Sequence, residues 1–321
     1  MHAWLVDRRF DTAFYLASVV AVVLAYLVFE VLCLWVDRDS AALWLYLVFA
    51  AVFDGPHVFQ SFARTHLDAT ERKRRPLIHL VLPPMLLITG WALTVHGHMR
   101  ELILGLGALG SFHIMRQNVG LLRAYGVVSS ARRQAQWATR AFFVVWLVSL
   151  VAMYSRYELV PLPPSWTHGV AGLTTVLGLA FMVTWMVLIR SVDEPSSVPG
   201  LVFFLMVTAA TSFAHLLANV PMLALIVFAT IYHDIQYLGW MHTFQRKRLK
   251  LSKRWIWGFA ALSLLYGMLY ASSEYLSVAQ GTLFSGLVAT SFAMITAYHY
   301  IADGFIWRFR SQPELREMFS A

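Results

Sequence analysis

Apolar runs long enough to cross a bilayer dominate this sequence. A helix that spans the hydrocarbon core needs about 20 mostly apolar residues, so each such run is a candidate membrane span. Of the 321 residues, 59% are hydrophobic and only 13% are charged, whereas about a quarter of the residues in a soluble domain are charged. We therefore expect an all-α fold, a polytopic transmembrane helix bundle that forms a single integral membrane domain over residues 1–321.

Charged or Pro/Gly-rich breaks divide the apolar sequence into ten predicted helices. They cover 13–35, 41–62, 77–95, 101–122, 138–155, 166–189, 199–219, 222–244, 255–272 and 282–307. The first helix is long and has no small-residue cleavage pattern after it. It is therefore predicted to be a membrane anchor rather than a removable signal peptide.

The basic residues are distributed unevenly among the predicted loops. If the N-terminus is cytoplasmic, 22 of the 25 Lys and Arg residues fall on cytoplasmic segments, and only Arg38, Arg100 and Arg156 fall outside. This excess follows the positive-inside rule and predicts that both termini are cytoplasmic. The net charge of +8 then reflects orientation and attraction to lipid headgroups, not nucleic-acid binding. We expect an integral protein of a bacterial inner (cytoplasmic) membrane with membrane lipids as partners, and a solvated segment 64–75.

Four predicted spans carry a histidine with an amide or acid one helical turn later. The pairs are His57 with Gln60, His113 with Gln117, His233 with Gln236, and His299 with Asp303. Residues at this spacing lie on the same face of a helix, and polar residues inside spans are costly unless they pair or serve function. The histidines precede the cytoplasmic basic residues by seven to thirteen positions, which corresponds to depths of about 10 to 20 Å. All four are therefore expected to lie in one layer.

These histidines, His57, His113, His233 and His299, are predicted to bind a metal ion. Imidazole suits iron, copper and zinc, and a ligating histidine usually donates its other N–H to an acceptor. The acceptors predicted for this role are Asp54, Gln60, Gln117, Asn118 and Asp234. The residues predicted to act in catalysis are Asp303, Tyr237 and Gln236. Further candidate ligands are His215, His242 and His66. For His242 and His66, the alternative is a solvated role at the cytoplasmic edge.

Several familiar motifs are absent from the sequence. There is no HExxH of a zinc metalloprotease, and no two histidines stand three or four residues apart, as they do in the histidine boxes of membrane desaturases. A P-loop is not visible. The single cysteine, Cys33, excludes an intrachain disulfide framework. The remaining possibility is a metal site to which each of several helices contributes a single ligand.

Four segments of the sequence follow one another in an informative order. They are Gly55-Pro56-His57, Phe112-His113, His233 ahead of the basic segment 246–254, and His299 with Asp303, Phe305 and Trp307-Arg308. This order, over residues 50 to 310, resembles the Brp/Blh family of membrane-bound carotenoid-cleaving oxygenases, although Tyr237 stands where the family has a second histidine. The resemblance implies a non-haem iron (Fe2+) held by histidines, dioxygen as co-substrate and a long apolar substrate that reaches the metal from the bilayer.

Three classes of function fit these residues. The first is a membrane metalloenzyme, an iron-dependent oxygenase that acts on an isoprenoid or another lipid-soluble substrate, because neutral imidazoles leave iron(II) with open positions. The second is a haem-binding or electron-transfer protein. The third is a transporter or sensor that uses the histidines as proton relays. We expect the first. Glu274, near the end of the ninth span, is either a proton handle or an interfacial charge.

Overall fold

The computed structural model of the chain describes residues 4–128, most of 136–151, 198–216 and 220–307, and a few single positions outside these ranges. About 89% of this part of the chain is helical, and it contains no strand. The all-α prediction is therefore confirmed. Much of the predicted fifth span and nearly all of the sixth, 138–155 and 166–189, lie outside the described residues, and the described positions of 136–151 are helical.

The other eight predicted spans all coincide with helices. In chain order, these helices and the short one between the second and third are α1 (Arg8–Leu32), α2 (Arg38–Leu67), α3 (Ala69–Arg74), α4 (Pro76–Val95), α5 (Met99–Val128), α6 (Val198–Leu216), α7 (Met222–Lys247), α8 (Lys253–Gln280) and α9 (Leu283–Ile306). The short helix α3 lies between two predicted spans, and each of the other eight helices contains most of one predicted span.

Five helices in the described part of the chain are long and apolar enough to cross a membrane, namely α1, α2, α4, α7 and α8. The sequence thus contains transmembrane helices of the kind predicted. Helices α5 and α9 have 30 and 24 residues, but polar side chains, including His113 and His299, lower their mean hydropathy.

The chain divides into two compact units, each built from two stretches of sequence. The first unit comprises Met1–Leu43 and Ile114–His233, and the second comprises Trp44–His113 and Asp234–Ala321. Helices α2, α5 and α7 contribute residues to both units. A single integral membrane domain over the whole chain stays a prediction.

In the first unit, the buried side chain of Asp11 holds the N-terminal segment in place. Its carboxylate accepts hydrogen bonds from the backbone N–H of Leu5 at 2.6 Å and of Val6 at 3.1 Å. It also accepts one from the Tyr125 hydroxyl on α5 at 3.0 Å. Three donors compensate a carboxylate that is removed from water, so Asp11 ties the start of α1 to α5.

In the second unit, α4 packs along α9 through small and hydroxyl-bearing side chains. The hydroxyls of Thr94 and Thr290 lie 2.8 Å apart, and Trp91 Nε1 donates to Ser291 Oγ at 3.0 Å. Gly90 leaves room for Met294, because a Cβ added to it would lie 2.5 Å from Met294 Cγ. Small residues and interhelical hydrogen bonds are typical of helix packing in membranes.

In the second unit, helices α2 and α8 approach each other closely at Gly55 and Gly267. A Cβ on Gly267 would collide with the backbone of Ala51 and lie 2.7 Å from Cδ of Pro56, and a Cβ on Gly55 would collide with Gly267. The two glycines therefore let the backbones touch. This contact fixes the part of α2 that carries His57.

Helix α2 departs from regular α-helical geometry on both sides of that contact. It is π-helical over Ala50–Asp54 and again over Ala63–Leu67, with the α-helical segment Gly55–Phe62 between them. Pro56 has no N–H, so it cannot donate the backbone hydrogen bond that a regular helix needs at this position. Single π-helical turns are frequent at functional sites, and here they flank the segment that bears His57.

We expect Gly267→Ala to destabilise the protein, because the added methyl group must push α2 and α8 apart. The loss should be about 1–3 kcal/mol, the usual cost of overpacking, and thermal unfolding of the purified protein in detergent measures it. Gly258→Ala, on the same helix but with open space around the glycine, should cause no loss. Equal melting temperatures for the two variants would contradict the close contact.

Candidate metal centre

The second unit brings three of the four predicted ligand histidines together. His57 lies on α2, His113 on α5 and His299 on α9, and each is at most 5% exposed. The ring centroid of His299 lies 4.4 Å from that of His57 and 4.7 Å from that of His113, and the other two are 6.0 Å apart. We call these three residues the histidine cluster.

The histidine cluster fits a metal ion in chemistry and in spacing. One ligand nitrogen of each ring lies within 4.8 Å of the other two. Histidine nitrogens bind zinc at about 2.0–2.1 Å, so two ligands of one ion are about 3 to 3.5 Å apart. Small movements of the rings would therefore close the cluster around an ion. Three buried imidazoles suit iron, copper or zinc.

A carboxylate on α7 orients the first histidine. Nδ1 of His57 lies 2.8 Å from Oδ1 of Asp234, and both side chains are buried. A ligating histidine commonly donates one ring N–H to a carboxylate and presents the other nitrogen to the metal. Asp234 was predicted for this role, and its position is consistent with Nε2 of His57 as the ligand atom.

The second histidine belongs to a closed ring of polar contacts from α2, α7 and α9. Nδ1 of His299 lies 2.5 Å from Oγ of Ser61 and 3.7 Å from Oδ1 of Asp303. The Tyr237 hydroxyl lies 3.2 Å from Ser61 Oγ and donates to Asp303 Oδ1 at 3.3 Å. Asp303 and Tyr237, both predicted as catalytic residues, therefore lie beside the histidine cluster. The sequence analysis missed Ser61.

The third histidine is placed by two residues of α9. The ring of His113 stacks on that of Tyr300, with centroids 4.8 Å apart and an angle of 30° between the planes. Its Nε2 lies 3.9 Å from Oδ2 of Asp303. Because Asp303 also lies near His299, one carboxylate supplies negative charge beside two of the three rings.

Two further acceptors predicted in the second unit are Gln60 and Asp54, and the hydrogen bonds of Gln60 go to residues outside the histidine cluster. Gln60 accepts a hydrogen bond from Gln245 at 2.6 Å and donates to Ser263 at 3.4 Å. In the α-helical part of α2, Ser61, four residues after His57, faces the rings more directly than Gln60, three residues after it. Asp54 ends the π-helical turn Ala50–Asp54, three residues before His57, and its role as an acceptor stays a prediction.

Three more predicted residues, Gln117, Asn118 and His233, belong to the first unit. Gln117 donates to the backbone oxygen of His233 at 3.1 Å, and Asn118 donates to the Tyr232 hydroxyl at 3.3 Å. His233 is buried and directly precedes Asp234 on α7. Its role as a ligand stays a prediction, as does the catalytic role of Gln236, which is buried on the same helix.

The three further candidate ligands lie outside the histidine cluster or outside the described side chains. His66 is half-buried, with Nδ1 2.7 Å from Oγ1 of Thr65, and His242 is exposed. The structure describes the helical backbone at His215 on α6 but not its side chain. The participation of these residues in a metal site stays a prediction.

Half of the residues in segment 64–75 are exposed, but Arg64, Thr65, Asp68 and Glu71 are buried, so the expectation that the segment is solvated is wrong at these four positions. Arg64 is fully buried and forms ion pairs with Asp68 and, at 3.3 Å, with Glu71. Arg75 also pairs with Glu71. Opposite charges four residues apart, as in Arg64 with Asp68 and Glu71 with Arg75, compensate each other within one helical stretch. This spacing is the signal in the sequence that indicates pairing.

Arg64 also joins α2 to the end of α9. Its Nη2 donates to the backbone oxygen of Ile306 at 3.2 Å and to Oε1 of Gln312 at 2.9 Å. A cation is favourable at a helix C-terminus, where backbone carbonyls lack partners within the helix. Since α2 carries His57 and α9 carries His299, this contact fixes the two ligand-bearing helices near the histidine cluster.

His79, to which the sequence analysis assigned no chemistry, joins the same network. It is buried on α4, with Nδ1 2.7 Å from the Tyr298 hydroxyl and Nε2 3.5 Å from Oε1 of Glu71. Burial of the Glu71 carboxyl by itself would raise its pKa. Hydrogen bonds from His79 and Arg75, with the charges of Arg64 and Arg75, outweigh it and hold the pKa below its ordinary value of 4.5.

This lowered pKa predicts acid sensitivity. Because Glu71 is more acidic in the folded than in the unfolded protein, it stabilises the fold above its ordinary pKa, and the stabilisation is lost as the pH falls through the folded value. We expect Glu71→Gln to cost about 1–3 kcal/mol at neutral pH and to make the melting temperature less dependent on pH below about 4.5. The exposed Glu101→Gln is the matched control. This account would be contradicted if the melting temperature of Glu71→Gln fell at acid pH as steeply as that of the wild type.

Comparison of the chain with protein-family models, curated proteins and solved structures gives no match. A function is therefore assigned from the geometry of the site and the order of the sequence motifs.

Proposed function

We propose that the chain is an integral membrane metalloenzyme whose metal is bound by the histidine cluster. The observation that carries this proposal is the convergence of three buried imidazoles from three helices, with ligand nitrogens within 4.8 Å. Burying three polar rings in an apolar helix bundle is costly unless they serve function. The acidic and hydroxyl partners of His57 and His299 support ligation, because such partners fix the orientation of a ligating ring.

Iron(II), with dioxygen as co-substrate, is the metal that the donor set and the motif order favour. Iron bound by neutral imidazoles retains open positions and would supply the activation of dioxygen. His233 is proposed as a fourth ligand. The resemblance to the Brp/Blh family supports an oxygenase that acts on an isoprenoid or another long apolar substrate, which would reach the site from the bilayer.

The side chains around the histidine cluster hold protons and exclude water. The Tyr237 hydroxyl shares its proton with Asp303 at 3.3 Å, and its ring centroid lies 4.6 Å from that of His57. The rings of Tyr237 and Tyr300 cover two sides of the cluster. A site enclosed in this way limits side reactions of reactive species.

A proton-relay transporter or sensor is the second candidate. The ring of contacts through His299, Ser61, Tyr237 and Asp303 favours it, because each neighbouring pair has polar atoms between 2.5 and 3.7 Å apart. Such a relay needs no metal. Metal content therefore distinguishes the two candidates.

The membrane arrangement proposed with this function has ten spans, with both termini in the cytoplasm of a bacterium and the protein in its inner membrane. It rests on the 22 basic residues that this orientation places inside, against three outside. The orientation follows from the positive-inside rule.

We expect His57→Ala, His113→Ala and His299→Ala each to remove most bound metal, because loss of one imidazole leaves the ion under-coordinated in a buried site. Elemental analysis of detergent-purified protein, with an optical spectrum, measures the effect. The exposed His96→Ala is the matched control and should retain full metal. The metal proposal fails if the wild type binds none, or if the three cluster variants retain as much as the control.

Asp303→Asn should lower metal affinity about 10- to 100-fold, the range usual for residues that support a ligand. The variant keeps the shape of the side chain but removes the charge beside His113 and His299. Competition with a metal chelator measures the affinity. Asp37→Asn, at the exposed start of α2, is the control because asparagine caps a helix as well as aspartate does. Equal affinities in the two variants would remove Asp303 from the site.

A further inference from the structure

Ser61 on α2 lies between a candidate ligand and a carboxylate. It is buried, and its Oγ lies 2.5 Å from Nδ1 of His299 on α9 and 3.2 Å from the hydroxyl of Tyr237 on α7. The Tyr237 hydroxyl lies 3.3 Å from Oδ1 of Asp303. We call these four residues, in the order His299, Ser61, Tyr237 and Asp303, the hydrogen-bond chain.

The direction of each contact in the hydrogen-bond chain follows from the carboxylate at its end. An ionised carboxylate only accepts hydrogen bonds, so the Tyr237 hydroxyl donates to Asp303. A hydroxyl has one proton, and the proton of Tyr237 is used in this contact. In the contact between Ser61 and Tyr237, the donor is therefore Ser61.

The same count applies to the hydroxyl of Ser61. Its proton goes to Tyr237, so its oxygen accepts from His299, and Nδ1 of His299 must carry a proton. A neutral imidazole has one N–H, which leaves the lone pair on Nε2. Oδ1 of Asp303 lies 3.7 Å from Nδ1, too far for a direct hydrogen bond. Ser61 is therefore the acceptor that determines where the proton of this ring lies.

A role in helix stability does not account for the position of the Ser61 hydroxyl. Serine and threonine hydroxyls inside helices commonly donate to a backbone oxygen one turn earlier. Thr65 does so on the same helix, with Oγ1 2.9 Å from the backbone oxygen of Ser61. The hydroxyl of Ser61 instead contacts side chains of α7 and α9. This difference indicates a task at the histidine cluster.

We propose that Ser61 is a positioning residue that fixes the tautomer of His299 and thereby makes Nε2 the nitrogen that is offered to a metal ion. Which ring nitrogen binds a metal is set by the hydrogen bond that the other nitrogen makes. The charge of Asp303 polarises the hydroxyls between it and the ring, which strengthens each hydrogen bond. Asp234 fixes His57 in the same way by direct contact of its Oδ1 with Nδ1 at 2.8 Å.

The inference rests on the proposed function only for the use of Nε2 as a ligand atom. The tautomer of His299 is set by side chains of the protein itself. It can therefore be measured on protein that contains no metal, and the result does not depend on whether a metal binds.

The experiment determines the tautomer by nitrogen NMR spectroscopy. The full-length, metal-free protein is purified in detergent with isotopically labelled histidine, at a mildly alkaline pH. Protonated and unprotonated ring nitrogens have different chemical shifts, and the signals of His299 are those that His299→Gln removes. Neutral histidine in water prefers the Nε2–H form, whereas we expect the Nδ1–H form at His299.

Substitutions of Ser61 test its role in fixing the tautomer. Ser61→Ala removes the acceptor of the Nδ1 proton, so most of the His299 signal should convert to the Nε2–H form. Ser61→Thr keeps a hydroxyl and should keep the Nδ1–H form. Ser273→Ala is the matched control. It removes a buried hydroxyl of α8 that donates to the backbone oxygen of Tyr270 at 2.7 Å, and it should leave the His299 signals unchanged.

Tyr237→Phe is a second test that leaves Ser61 in place. Without the Tyr237 hydroxyl, the proton of Ser61 can turn to Nδ1 of His299, so the Nε2–H form should appear. A structural role of Ser61 alone would not produce this effect. Thermal unfolding confirms that each variant is folded, and Tyr237→Phe carries the test if Ser61→Ala does not fold.

Metal affinity supplies the second readout. We expect Ser61→Ala to lower it about tenfold, the lower end of the range for residues that support a ligand, and Ser61→Thr to restore most of it. Competition with a metal chelator measures the affinity, as for Asp303→Asn.

The inference is overturned if wild-type His299 has the Nε2–H form, or if Ser61→Ala and Tyr237→Phe both retain the Nδ1–H form. It is also overturned if Ser61→Ala changes the tautomer but binds metal as tightly as Ser273→Ala. A wild type that binds no metal would contradict the proposed function, while the NMR spectrum would still decide the tautomer. The two failures are therefore distinguishable.

Discussion

The interior of a bilayer offers no water, so every polar group buried there must find a partner within the protein. This constraint organises the second unit. His57 pairs with Asp234, His299 contacts Ser61, and Tyr237 donates to Asp303. Each pairing joins two helices or two turns of one helix. The helices that carry the histidines are thus held together by the groups that orient the rings.

Most of these contacts are made by one face of helix α2. Its side chains contact partners on α7, α8 and α9, and those that do so include Tyr46, His57, Ser61 and Arg64. At 3.6 residues per turn, residues at these spacings fall within an arc of about 60° on a regular α-helix, so they share one face. A single helix can therefore serve both the histidine cluster and the ion pairs of Arg64.

The helices could be predicted from the sequence because burial in a membrane requires long apolar runs, and such runs are visible in a single chain. The meeting of His57, His113 and His299 was predicted from depth and polar neighbours. Their partners were harder to predict, since a one-turn spacing does not separate Ser61 from Gln60. The π-helical turns have no sequence signature that a periodicity argument detects. The burial of Arg64 and Asp68 was misjudged because charge was equated with exposure, whereas the pairing of these two residues removes the need for water.

The hydrogen bond between Asp11 and Tyr125 has a consequence for how the protein is made. Its partners are separated by 114 residues of sequence. At a synthesis rate of roughly 5–20 residues per second, the ribosome needs about 6 to 23 s to reach Tyr125 after Asp11. During that interval the carboxylate has only local donors. The segment that contains Asp11 therefore acquires its contact with α5 only after Tyr125 has been synthesised.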